Sequence, residues 1–201
     1  MKKVYVCGDS FCVSDLEYGE CWVDLLGKDR DVTSLAQVSA TNTLISMQVD
    51  QAIAENAEFI IVQGTSCTRG EKRHNGKLHP FSYHTASKIT TPFDSFSLQL
   101  IKEYYTEFFD LDLAIYQNKC IIENTLQKLV DSRIPFLFDQ GGFEHLKFGA
   151  VNTNYFQKFD RYKSKINLWS YTVTQDYRPY YHITDAKVHR EITDYYLEAT
   201  R

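Results

Sequence analysis

The sequence predicts an α/β protein, three layers deep, in which helices cover both sides of a mostly parallel sheet of about five strands. Short apolar runs alternate with longer segments of helical period, the pattern of successive βαβ units. The runs are brief and nearly continuous in apolar character, as strands buried on both faces are. Polar, chemistry-bearing residues follow directly on several of them, at the carboxyl ends where open parallel sheets collect ligands.

Four runs are read as strands: Val4 to Cys7, Val32 to Ala36, Phe59 to Gln63 and Pro135 to Phe138. A fifth, Ile166 to Tyr171, completes the sheet. Between the second and third, Ile45, Val49, Ala52 and Ile53 recur at helical spacing behind Asn42, whose side chain suits an N-cap. Leu98, Ile101, Tyr105 and Phe108 mark a second helix, and Ile115, Ile122, Leu126 and Leu129 a third, with a break near Asp110. The last helix carries Val188, Ile192, Tyr195 and Ala199 on one face, with Thr184 and Asp185 as caps. The stretch from Ser66 to Asp94 follows neither period and is read as a long surface excursion, of the kind that often serves as a lid or binding loop. Gln140 to Lys165 is similarly irregular.

A chain of 201 residues, 43% hydrophobic and 24% charged, fits one globular domain, here residues 1–201. A net charge of −4 argues against nucleic acid as a partner, since that requires a basic stripe or patch. The local basic cluster of Lys72, Arg73, His74 and Lys77, beside Asn75 and Gly76, is read as a solvated loop. Five cysteines without a Cys-x-x-Cys pair indicate reduced thiols rather than a disulfide framework or a zinc site. The opening residues lack the apolar stretch of a signal peptide, and no apolar run reaches membrane-spanning length, so a cytoplasmic protein without a membrane partner is expected.

The residues after the strands form a set: Gly8-Asp9-Ser10-Phe11, then Ser39-Ala40-Thr41-Asn42, then Gly64-Thr65-Ser66-Cys67, and finally His182 and His189 before and within the last helix. A glycine permits a sharp turn, and a hydroxyl at a helix mouth has backbone N–H groups near it that can hold an oxyanion. In order and placement this set resembles the SGNH (GDSL-like) hydrolases over essentially the whole chain, with a further likeness to members encoded by bacteriophages. The resemblance implies Ser10 as nucleophile and His182 as base, with His189 as the less favoured second candidate. It implies an oxyanion hole from the backbone of Ser10 and Ser39, with Ser66 where the family carries an asparagine. Ser39 stands where the family has glycine, and any residue can offer a backbone N–H there.

Two family positions are substituted. Ser66 replaces the asparagine donor, a loss typically worth roughly 10²–10³ in kcat. Pro179 replaces the aspartate that orients the base, a loss worth about 10⁴ in serine proteases. Asp176 or Asp185 orients the imidazole instead, or a Ser-His dyad acts alone. Asp9, Asn42, Gly64, Arg69 and Gln140 are candidate substrate-binding residues, although Asp139-Gln140-Gly141-Gly142 also reads simply as a glycine turn. The implied activity is hydrolysis of an ester, such as an O-acetyl group on a carbohydrate, with no cofactor and no metal. The alternative is a weak or inactive protein of the same fold that binds a glycan or a protein.

Overall fold

The computed structural model describes residues 2–14, 19–74, 76–82, 93–141, 153–168, 171, 183 and 185–201. Its first strand, β1 (Lys3–Cys7), leads through a 3₁₀ turn (Ser10–Cys12) and helix α1 (Trp22–Gly27) to β2 (Asp31–Ser34). Helix α2 (Asn42–Ala54) precedes β3 (Phe59–Gln63), and the hairpin β4 (Gly70–His74) and β5 (Lys77–Phe81) follows it. Helix α3 (Ser95–Glu103), a π turn (Tyr104–Phe108) and α4 (Leu111–Ser132) lead to β6 (Phe136–Asp139). A 3₁₀ segment (Thr153–Tyr162) and helix α5 (Ala186–Ala199) complete the chain.

The main sheet is parallel, in the order β2-β1-β3-β6. Its side chains alternate between two apolar clusters, as the pleat requires. Tyr5, Cys7, Ile60, Val62, Phe136 and Phe138 pack with Val49 of α2 and Leu126 and Leu129 of α4. Val4, Val6, Phe59 and Ile61 pack on the opposite face with Trp22 and Leu26 of α1 and Ile192 and Tyr196 of α5. Helices therefore cover both faces, with α1 and α2 on opposite sides.

Several expectations change. Among the described residues the sheet has four strands rather than about five. None of the described residues of the expected strand Ile166 to Tyr171 is extended in a ladder: Leu168 and Tyr171 are helical, the Leu168 N–H donates to Asp139 Oδ2 at 2.8 Å, and Trp169 and Ser170 lie outside the described residues. Among the described residues only an isolated parallel bridge, Phe138 to Lys163, extends the sheet on that side. The stretch after Ser66 is no featureless excursion, because β4 and β5 pair in register from Gly70–Phe81 to His74–Lys77. Lys72, Arg73, His74 and Lys77 thus lie on an antiparallel hairpin and not in a solvated loop. Gly76, at φ +78°, supplies the left-handed residue that its two-residue turn needs. Thr41, and not Asn42, caps α2: its Oγ1 accepts from Leu44 N at 3.2 Å.

Candidate active site

In the order β2-β1-β3 the chain leaves β1 toward one side and returns to the other. The carboxyl ends of β1 and β3 therefore form the topological switch point of the sheet, the crevice where such folds bind ligands. Gly8-Asp9-Ser10 leaves one lip of it and Gly64-Thr65-Ser66 the other.

The first lip is braced by side chains distant in sequence. Gln48 on α2 grips Gly8, accepting from its N–H at 2.8 Å and donating to its carbonyl at 3.3 Å. Gly8 must be glycine, since a β-carbon there would sit 2.8 Å from Cys12 Sγ. Asp9 is fully buried; its Oδ1 accepts from Phe11 N at 3.0 Å and shapes the turn that starts at Ser10. Its Oδ2 accepts from Thr65 Oγ1 at 2.7 Å and from Arg69 Nη1 at 2.8 Å. Arg69 Nη1 also donates to the Ala40 carbonyl at 3.0 Å, tying in the loop that follows β2. Asp9 and Arg69 are thus a structural ion pair under the turn. Ser10 itself is 7% exposed.

Ser39 has φ +63°, the left-handed region that favours glycine, at the position where the resembled family carries one. Asn42 is buried and spent: Oδ1 accepts from Thr65 N at 3.0 Å, and Nδ2 donates to Thr65 O at 2.9 Å and to Asn118 Oδ1 at 2.7 Å. It pins the second lip, its amide bonded to the Thr65 backbone and to Asn118. Ser66 Oγ shares a hydrogen bond with Thr68 Oγ1 at 2.8 Å and accepts from Thr68 N at 3.2 Å, so its hydroxyl closes a local turn. Gly64 N donates to Asp139 O at 2.8 Å, and Gln140 is buried behind it. Gly141, at φ +60°, lies so close that a β-carbon would collide with the Gly64 carbonyl. The Gly64–Asp139 bond ties the end of β3 to the end of β6.

His182 and Asp176, the proposed base and one of its two candidate orienters, lie outside the described residues, as does Pro179. The second candidate orienter, Asp185, is exposed and caps α5, its Oδ1 accepting from Lys187 N at 2.7 Å. His189 is buried, with both ring nitrogens engaged: Nδ1 accepts from Trp22 N at 3.2 Å, and Nε2 lies 3.0 Å from the Ile183 carbonyl. The ring is therefore neutral with its proton on Nε2, and burial holds its pKa below the usual histidine value. This geometry makes His189 a tie between α1 and α5. Cys12 and Cys67 are buried, and desolvation raises both thiols, Cys67 to about 11 and Cys12 well above its ordinary value. Neither is a thiolate near neutral pH.

Beyond Arg69 lies a cavity of about 450 Å³, walled on one side by Thr41, Glu71 and Lys72 and on the other by Tyr104, Tyr105 and Phe109. Ser10 is not part of its lining. Among the described residues no group of three or more His, Cys, Asp or Glu is placed to hold a metal ion, and no helix is long and apolar enough to cross a membrane. The residues that sequence reasoning missed are Gln48, Gln63 and Thr65. A glutamine ending an otherwise apolar strand and another on the buried face of α2 were the clues. Compared with known proteins, the chain matches no family model and no curated protein.

Proposed function

We propose that this protein is a serine hydrolase of the SGNH kind that cleaves an ester, such as an O-acetyl group on a carbohydrate, through an acyl-Ser10 intermediate. The observation that carries this reading is the position of Ser10: it opens a braced turn at the sheet's switch point, on the buried Asp9 carboxylate paired with the part-buried Arg69. His182 takes the Ser10 proton as Oγ bonds to the ester carbon, and returns it to the departing alcohol as the ester C–O bond breaks. Water, deprotonated by the same imidazole, then releases the acid and restores Ser10. The left-handed backbone at Ser39 supports a backbone N–H donor to the oxyanion at that position. The raised thiols of Cys12 and Cys67 leave the serine as the better nucleophile.

Fluorophosphonate labelling tests this directly. The wild type is expected to label, Ser10→Ala to lose the label, and His182→Ala to label at least about 10²-fold more slowly, the lower range of a positioned base. A label that persists undiminished in Ser10→Ala sinks the assignment. The second reading, a weak or inactive protein of this fold that binds a glycan or a protein, is favoured by one observation. The Ser66 hydroxyl, at the family's asparagine position, already shares one hydrogen bond with Thr68 Oγ1 and accepts another from Thr68 N.

A further inference from the structure

Eight large apolar side chains are markedly exposed among the described residues, and six of them fall between positions 96 and 116. Phe96, Leu100, Tyr104 and Phe108 recur every fourth residue along α3 and the π turn, so they form one stripe on a continuous helical surface. Leu113 and Tyr116, three apart at the start of α4, are exposed as well. Phe96 is 67% exposed, Phe108 76% and Tyr116 64%, each more than half open to solvent, whereas Tyr104 also packs edge-on against Phe81, Tyr105 and Phe109. A concentration of this kind, where the other described residues expose only Val38 and Met47 among large apolar groups, marks an interaction site. Leu100 and Tyr104 also line the cavity of about 450 Å³, so the stripe runs to the edge of a pocket able to take an anchoring side chain.

Charge indicates what covers it. From Asp94 to Tyr116 the chain carries Asp94, Glu103, Glu107, Asp110 and Asp112 against the single base Lys102, and all six are exposed. A second copy docked on the same face would set five acids against five, which like-charge repulsion opposes. An anionic lipid surface is disfavoured for the same reason. We propose that this face of α3 and the π turn is the docking surface for an amphipathic helix of another protein, apolar on one side and rich in lysine or arginine along its flanks, with one apolar side chain seated in the cavity. The proposal is independent of whether Ser10 is a nucleophile.

The test uses the full chain and a synthetic amphipathic helix of leucine and lysine, with a leucine–glutamate helix of the same apolar face as the comparison probe. Calorimetry is expected to show saturable binding of the basic helix that weakens as salt is raised, with much weaker binding of the acidic one. Phe96→Ser/Phe108→Ser should weaken the basic helix about tenfold or more, as loss of interface anchors does, with an unchanged thermal melt. Glu103→Lys/Glu107→Lys, which leaves the stripe intact, should weaken it as well. Equal binding of both helices, or no effect of the phenylalanine pair, would overturn the proposal. So would a concentration-dependent dimer in light scattering that the phenylalanine pair abolishes, since the occupant would then be a second copy.

Discussion

Among single residues, Asp9 and Arg69 show how a site adjacent to chemistry is first a matter of structure. The Asp9 side chain is 1% exposed and that of Arg69 20%. Removing the cation alone leaves a desolvated carboxylate with only Thr65 and the Phe11 N–H as partners. Arg69→Ala is therefore expected to cost about 3 kcal/mol, at the lower end for broken buried pairs because Arg69 keeps some solvent. Asp9→Ala/Arg69→Ala should cost clearly less than the two single changes summed, and urea denaturation of the four proteins reads both effects. A fully additive cycle would mean that the pair is not coupled. Gly-Asp-Ser was legible as a turn directly after β1, but the ion pair was not. Its partners are 60 positions apart, and nothing local at Arg69 distinguishes a structural arginine from a loop arginine.

Helix α5 illustrates how one buried group couples an element to pH. His189 joins α5 to the first turn of α1 by accepting from Trp22 N, and a proton on Nδ1 would break that bond and charge a desolvated ring. The native pKa is lowered, so the unfolded chain binds more protons once pH falls below about 6.5, the ordinary histidine value. Stability is thus full above that pH and declines as pH falls from there to the lower native value. Unfolding free energies measured between about pH 7.5 and 5.5, above the carboxylate range, should show this decline in the wild type. In His189→Gln, which cannot titrate, the slope over that window should largely vanish; an unchanged slope would assign it to another group. The four strands and the long helices were legible because apolar period reports burial. The β4–β5 hairpin was not recognised, although Asn75-Gly76 is the usual dipeptide of a two-residue hairpin turn. The polar character of Lys72 and Arg73 concealed strands that lie away from the main core. Helix α1, at six residues, was too short to show a period.

In the whole molecule, one sheet separates two apolar layers, and this division decides how substitutions combine. Ile122 of α4 belongs to one cluster and Ile192 of α5 to the other, with the plane of β1, β3 and β6 between them. Ile→Val at either removes one buried methyl(ene) group, worth about 0.5–1.5 kcal/mol. The two sites share no partners if strain stays within its layer, so the double variant should lose the sum of the single costs to within about 0.5 kcal/mol. Both layers rest on the same four strands, so unfolding should nonetheless remain a single transition by circular dichroism and by tryptophan fluorescence. A coupling well beyond that margin would show that the strands carry packing strain from one layer to the other. The consequence would reach the switch point: Gln48 from α2 holds Gly8, just before the Ser10 turn, from the α4 side, while Gln63 of β3, accepting from Asp9 N, and Trp22 Nε1, donating to Phe11 O at 2.9 Å, hold the turn from the α5 side. The turn that bears Ser10 is clamped by both layers at once, so additivity of the cores is also the condition under which neither layer can displace it alone.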